Sequence, residues 1–550
     1  MIVISKFFVF LLLAHLSGRG LFILLKKINC IKQDLSEIKI FKIPLNYFYI
    51  LSYLIFLGNI TFVVNFLIEL PQNFGLILNF VLVLMNLLYL KKIKVDLFIT
   101  ISTFVTIIFL SLSSYSVGLS YDAGLYHLNY QLWIKSEKIV LGLANFHMRY
   151  GYSSIFDYIS ANYNNFENYL YLHFLNLSFL FIFFTIIFYI INYSNSIFYK
   201  ASGLGLLIFG ILDNFGLGGG KNGFIEIEGI TKYDSVFGSL FVLSNMFLIN
   251  ILKQKELKNF EINYFLVLCI FLAQLRPTGF VFLIFSLIML IKKSRVKFFN
   301  LFNNKVRYFL LVLLILWFIK NILISGCLIF PIETTCVKNI KWYSSGYAKL
   351  EALNIGNSLR SYQLFSNPID WVYHWISKNN YNLFTIINLG VSLLIIYTFK
   401  RIFFICKKVD QLQIIFSLYC LLLLLYWILT APDLRFGIGI FLTIILSFFI
   451  NIVSLKIETN KLIIFILFTL CLFATPRFEN YSTFLENSFK NIYIYAPENP
   501  EYVLKMNSYG VTTKNNSEQC WINIECTPVY TPIVEKEYIG SYLVFIQNDD

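Results

Sequence analysis

The sequence predicts an all-α polytopic membrane protein, with about twelve transmembrane helices, a short helical hairpin and a small mixed C-terminal tail. Three observations predict it. Of the 550 residues, 58% are apolar and only 13% are charged, and the mean hydropathy is +0.70, far from the ordinary soluble mixture. Apolar runs of about 17 to 25 residues recur from end to end, each sufficient for a hydrocarbon core about 30 Å thick at about 1.5 Å rise per residue. The basic residues fall in short clusters between those runs.

Those clusters set the topology. The formal charge of +14 is spread over Lys26-Lys27, Lys91-Lys92-Lys94, Lys253 to Lys258, Lys292 to Lys297 with Lys305 and Arg307, Lys400-Arg401 with Lys407-Lys408, and Lys456 with Lys461. Dispersed in this way the charges read as cytoplasmic edges of membrane spans rather than as a nucleic-acid surface. Membrane lipids are the expected neighbours, and nucleic acid is not.

Taken in order, the first apolar run, Ile2 to Leu25, has Ser17-Gly18-Arg19-Gly20 in its middle and lacks a small-residue cleavage site, so an interrupted, uncleaved first helix is expected. Further spans are expected at 47–69, 74–90, 97–113, 168–191, 201–213, 236–252, 308–330, 383–399, 411–430, 436–454 and 461–475. Residues 262–291 are apolar with basic clusters at both ends, so both ends belong inside. Two short helices turning at Gln274-Leu275-Arg276-Pro277-Thr278-Gly279 satisfy that rule, and a charged turn at such depth must be shielded by protein or line a wet cavity. Residues 1–475 then form the membrane domain, and 476–550 an extracytoplasmic tail whose Tyr538 to Phe545 alternates like a strand. The outer face collects 114–167, 214–235, the Arg276 turn, 331–382, 431–436 and the tail. No internal repeat of transporter type is visible.

The cysteines follow the same division. Cys269, Cys406, Cys420 and Cys471 lie in or beside apolar runs as small hydrophobes. Cys327 with Cys336, and Cys520 with Cys526, fall on the outer face, where disulfides are expected if that face is oxidising.

The chemistry concentrates in Ser114 to Glu167, about fifty mixed residues between apolar runs. His127 and His147 lie within it and His173 just beyond, together with Asp122, Trp133, Arg149 and Asp157. Asp122 follows a membrane exit and stands one helical turn from Tyr126 and His127. It suits a helix cap, a general base toward a hydroxyl acceptor, or a ligand to a divalent cation, the one cofactor this pattern invites. His127, His147 and Arg149 are either headgroup-level anchors or the basic partners of an anionic phosphate substrate. Arg276 and Arg435 occupy proline-bearing turns where a buried guanidinium needs a phosphate, an acid or a lipid headgroup, and Asp433 can supply the acid for Arg435. Thr278 shares the Arg276 turn. The run Gly216 to Gly223 lacks the spacing of a phosphate loop.

The segments YDAGLYH, NFHMRYGYSS, SGCLIFP at 325–331, APDLRF and QCWINIECTP resemble a family of uncharacterised bacterial membrane proteins placed near the GT-C superfamily of integral membrane glycosyltransferases. That resemblance implies a GT-C-like fold and transfer of a sugar from a polyprenyl-phosphate donor to a glycan or lipid-linked acceptor on the outer face, in cell-envelope glycan assembly. It implies that Asp122 is the catalytic carboxylate with His127 beside it, and that Tyr126, His147, Arg149, Arg276, Thr278, Asp433 and Arg435 bind substrate. One departure is that the long loop follows the fourth span here and the first in most GT-C enzymes. A polysaccharide polymerase or ligase would also use outer arginines and a lipid diphosphate. A transporter or flippase of lipid-linked saccharides would instead place charges inside the spans.

Overall fold

The structure is a computed structural model that describes residues 2–547 except 29–30, 32–33, 36, 88–96, 116, 213–228, 256–257, 295–303, 345, 360–366, 378–379, 431, 456–491, 496–502, 508–511, 516–518 and 520–533. The expected span 461–475, the Cys520 and Cys526 pair and the glycine-rich run lie outside the described residues. The fold is mostly helical. Six helices are long and apolar enough to cross a membrane: Ile2–Lys27, Leu45–Asn65, Leu170–Tyr193, Asp234–Lys253, Lys305–Ser325 and Gln411–Thr430. Of the other expected crossings, 74–90, 97–113, 201–213 and 436–454 correspond to shorter helices and 383–399 falls within the 24-residue helix Asn380–Phe403, so the described residues support six crossings by length and composition where about twelve were expected.

In chain order the helices are α1 (Ile2–Lys27), α2 (Tyr49–Asn65), α3 (Phe74–Leu87), α4 (Leu97–Leu112), α5 (Leu128–Ser136), α6 (Leu143–Phe146), α7 (Ile155–Ala161), α8 (Leu170–Tyr193) and α9 (Ile197–Leu212). They continue with α10 (Asp234–Lys253), α11 (Asn259–Leu275), α12 (Pro277–Ser294), α13 (Lys305–Ser325), α14 (Tyr347–Leu359), α15 (Pro368–Ser377), α16 (Asn380–Phe403), α17 (Gln411–Thr430) and α18 (Leu434–Ser447). α8 and α10 are almost wholly buried and form the centre of the bundle, whereas α3 and α17 leave Leu76, Phe80, Leu418 and Leu422 exposed. An apolar residue pointing outward from such a bundle is what a hydrocarbon solvent permits.

The first helix is continuous, not interrupted. Ser17, Gly18 and Gly20 are buried, and a Cβ on Gly18 or Gly20 would collide with the carbonyl of Tyr49 or Leu82. The small residues serve close packing of α1 on α2 and α3. The hairpin forms as expected: α11 ends at Leu275, Arg276 is extended (φ −154°, ψ 153°) and Pro277 opens α12. Proline suits a first helical position because no N–H is needed there.

Among the described residues, four two-stranded antiparallel pairs punctuate the helices. After β1 (Lys39–Ile40) with β2 (Ile43–Pro44), β3 (Phe404–Cys406) with β4 (Ile452–Leu455), and β5 (Val503–Met506) with β6 (Thr512–Asn515), the one that matters for the site joins β7 (Val534–Ile539) to β8 (Tyr542–Gln547), with Glu537 opposite Val544. This hairpin contains the alternating stretch expected to form a strand. It docks on the 114–167 segment: Leu141 N–H donates to Leu543 O at 2.9 Å, Phe545 N–H donates to Leu141 O at 2.9 Å, and Phe545 stacks on Phe146 at 5.0 Å. Cys327 and Cys336 form the expected disulfide just past α13.

Candidate functional site

The expected catalytic loop is a folded plug. α5, α6 and α7 follow one another between α4 and α8, and Trp133, Phe146, Tyr150 and Tyr158 are buried beneath them. A π-helical turn, Ala123–His127, leads into α5. Such turns recur at functional sites because the wider ring rotates side chains away from the regular helical register.

Asp122 stands at the start of that turn without capping it, since its side chain makes no cap hydrogen bond. Ser120 takes that role: Ala123 N–H donates to Ser120 Oγ at 3.1 Å. The Asp122 carboxylate instead faces Lys232, with Nζ to Oδ2 at 3.8 Å. Two backbone strips hold the pair in place. Ile230 N–H donates to Gly118 O at 2.9 Å, and the Ser120 and Thr231 hydroxyls meet at 3.1 Å.

These strips form one wall of an open cleft of about 440 Å³, lined by Gly118, Leu119, Ser120, Gly229, Lys232, Asp433 and Arg435. Asp433 caps α18 by accepting Arg435 N–H at 3.1 Å, and its other oxygen lies 3.2 Å from Arg435 Nε as an ion pair. The local Asp433–Arg435 pair expected from the sequence therefore exists, and it presents the guanidinium to the cleft. Lys232, the second cation, was absent from the sequence-derived candidates. Its signal was position: Thr231-Lys232-Tyr233-Asp234 immediately precedes a long apolar helix.

Behind the cleft lies a buried charged layer. His127 Nδ1 is 3.0 Å from Asp157 Oδ1, with both side chains almost water-free. Asp157 Oδ2 accepts Ser154 N–H at 3.3 Å in a capping box at the start of α7. Arg276 pairs with Asp234 at the start of α10, and its guanidinium lies over the rings of Tyr233 at 5.1 Å and Phe436 at 5.0 Å. Arg435 also lies over the Phe436 ring, at 4.7 Å, so the deep arginine and the cleft arginine share one ring. Thr278 hydrogen-bonds the Tyr426 side chain on α17.

Tyr126 connects the two layers. Burial, and then the negative charge of Asp122, hold its phenol well above the usual range, so it is a neutral O–H donor. Burial likewise pushes Tyr233 up to about 12, with the Arg276 guanidinium opposing. His147 is pushed down to about 3, by burial first and Arg149 second. Its Nδ1 accepts Arg149 N–H at 3.1 Å, so this histidine is neutral and shapes the chain. Arg149 reaches the buried Glu351 of α14, Nε to Oε1 at 3.1 Å, where Tyr152 O–H also donates at 3.2 Å. Burial raises the Glu351 carboxyl, and Arg149 opposes that rise.

Lys320 was also absent from the sequence-derived candidates. It is fully buried in α13, donates to Ser153 O at 3.2 Å and to the Ser153 hydroxyl, and sits 3.4 Å from the Trp317 ring centre. A lysine inside the apolar run 308–330 was a visible signal. It places a basic residue inside a span, the feature expected of a transporter or flippase. Among the described residues no three His, Cys, Asp or Glu side chains converge to hold a metal ion.

The structure thus places Asp433 and Arg435 on the cleft wall and Asp122 against Lys232 of that wall, with Tyr126 and His127 following Asp122 in the π-helical turn. Arg276 sits deeper, paired with Asp234, while His147 and Arg149 belong to a separate contact with α14. A family described as a domain of unknown function (DUF8201) matches residues 236–442. That stretch runs from α10 to the middle of α18, two helices that pack together where Gly238 meets Ile438. It contains Arg276, Thr278, Asp433 and Arg435, and not Asp122. No curated protein and no solved structure matches the chain.

Proposed function

We propose that this chain is a membrane glycosyltransferase that moves a sugar from a polyprenyl-phosphate-type donor to a hydroxyl acceptor at the extracytoplasmic face of the cell membrane. The observation that carries the reading is one cleft with two cations, Lys232 and Arg435, on its wall and a non-capping carboxylate, Asp122, 3.8 Å from Lys232. The placement of basic clusters on the short loops supports the orientation.

In this reading the donor phosphate lies between Lys232 and Arg435, which neutralise it as it departs. The acceptor oxygen attacks the anomeric carbon and its proton passes to the Asp122 carboxylate. The bond from the anomeric carbon to the phosphate oxygen breaks, its electron pair leaves with polyprenyl phosphate, and configuration inverts. Asp433 positions Arg435. Tyr126 and His127 set the polarity of the wall behind Asp122, and the Arg276–Asp234 pair holds the α10 end of the cleft.

The test is turnover by purified protein in liposomes against a panel of polyprenyl-phosphate sugars. Wild type should consume one of them, and Asp122→Asn should slow consumption by about 10² to 10⁴, the usual loss of a general base. Equal turnover by both proteins removes Asp122 as the base. If wild type consumes no monosaccharide donor but extends lipid-diphosphate oligosaccharides, the polymerase or ligase reading replaces this one.

A further inference from the structure

α15 is a ten-residue helix that is apolar on two sides. Trp371 is buried and Trp375 packs with it, their rings 6.0 Å apart and nearly parallel. The opposite face carries Ile369 at 80%, Val372 at 45% and Tyr373 at 69% exposure. Three adjacent large apolar side chains this bare on a short helix require a covering.

Its place in the fold identifies the covering. Trp375 lies against Trp427 at 6.2 Å, three residues before α17 ends at Thr430. α17 is one of the helices long and apolar enough to cross a membrane, and it leaves Leu418, Leu421, Leu422, Leu425 and Leu429 exposed. The apolar stripe therefore stands at the end of a helix whose own exposed surface already requires hydrocarbon. Tryptophan and tyrosine at that height match the preference of amphipathic rings for the boundary between headgroups and chains.

α15 also grips the cleft. Trp375 Nε1 donates to Pro432 O at 2.7 Å, and Trp427 Nε1 donates to Asp433 O at 2.7 Å. Two indoles therefore fix the turn that carries Asp433 and Arg435.

We infer that α15 lies in the plane of the membrane interface, its Ile369–Val372–Tyr373 face among phospholipid chains, and that it sets the Pro432–Arg435 turn at the height of the lipid phosphates. The partner is the bilayer surface itself. The inference deepens the glycosyltransferase reading by stating how the cleft meets a lipid-borne phosphate, but its test needs no turnover, so the two can fail separately.

The test uses spin labels on single cysteines placed at 369, 370, 372 and 373, with exposed Cys406 replaced by Ser and the unsubstituted parent measured alongside. The full chain is reconstituted in phosphatidylcholine and phosphatidylglycerol vesicles. Labels at 369, 372 and 373 should collide more often with dissolved oxygen than with an aqueous nickel chelate, and the label at 370 should show the reverse. Greater nickel access at 369 and 373 would place the face in water and overturn the proposal. Exclusion of both reagents would mean that protein, such as a second copy of this chain, covers it, and would overturn it equally.

Discussion

The buried layer and the open cleft use the same kinds of side chain to opposite ends. His127 and Asp157 meet at 3.0 Å with almost no water, and Arg276 is locked between Asp234 and the Tyr233 and Phe436 rings. Lys232 and Asp122 meet at 3.8 Å with a fifth to a quarter of each side chain exposed. A charge taken out of water is held by its partners and cannot release them for a ligand without leaving an uncompensated ion. A loose, solvated pair contributes about 0 to 1 kcal/mol and can exchange one partner for a phosphate. The difference separates charges that build the site from charges that could act in it.

Breaking the buried layer should have the largest effect. Asp157→Ala removes the partner of His127 Nδ1 and of Ser154 N–H. Loss of one member of a buried ionic network costs about 3 to 5 kcal/mol. Chemical unfolding in detergent micelles should show a loss of that size, and an unchanged midpoint would mean that Asp157 is not part of the structural layer.

What could be read from the sequence follows the range of the interactions. α17 begins and ends where its apolar run does, and the α11–α12 break falls at Arg276, because run length, basic flanks and proline are local signals. The Cys327–Cys336 link and the presence of strands at the end of the chain were legible for the same reason, whereas the turn at Gly540 and Ser541 that splits Tyr538 to Phe545 between two strands was not read. Ser17-Gly18-Arg19-Gly20 misled because helix breaking is also a local reading, and tertiary contact with Tyr49 and Leu82 prevailed over it. Ser154 to Asp157 carries a capping signature that could have directed attention to Asp157. The pairing of Asp122 with Lys232 and of Arg276 with Asp234 joins residues far apart in sequence, and no local pattern reports it.

Acidification should destabilise the fold through His147, in the contact with α14. His147 falls to about 3 in the folded chain, against about 6.5 for an unfolded histidine. Above pH 6.5 both states are neutral and its contribution is complete. As pH falls through that value the unfolded chain takes a proton that the folded chain refuses, so stability drops by about 1.4 kcal/mol per pH unit until about pH 3. His147→Asn retains an acceptor for Arg149 N–H and removes the titration. Between pH 7.5 and pH 5 the variant should lose about 2 kcal/mol less than wild type. Taking the difference cancels the other histidines, and identical pH profiles would show that His147 is accessible to protons.

The smallest stability effect belongs to the residue expected to matter most for turnover. If Asp122 were a cap, an amide could replace it and alanine could not; because Ser120 Oγ receives Ala123 N–H, neither change should be felt there. Asp122→Asn and Asp122→Ala should each move unfolding by under about 1 kcal/mol, the upper range of a solvated ion pair. Ser120→Ala should cost about 1 kcal/mol, the usual value of a lost cap. Ordering the three variants by unfolding midpoint distinguishes the roles without a substrate. If Asp122→Ala proves clearly less stable than both Asp122→Asn and Ser120→Ala, the carboxylate is serving the π-turn, and the distinction between a structural layer and an available cleft fails at the position where it matters most.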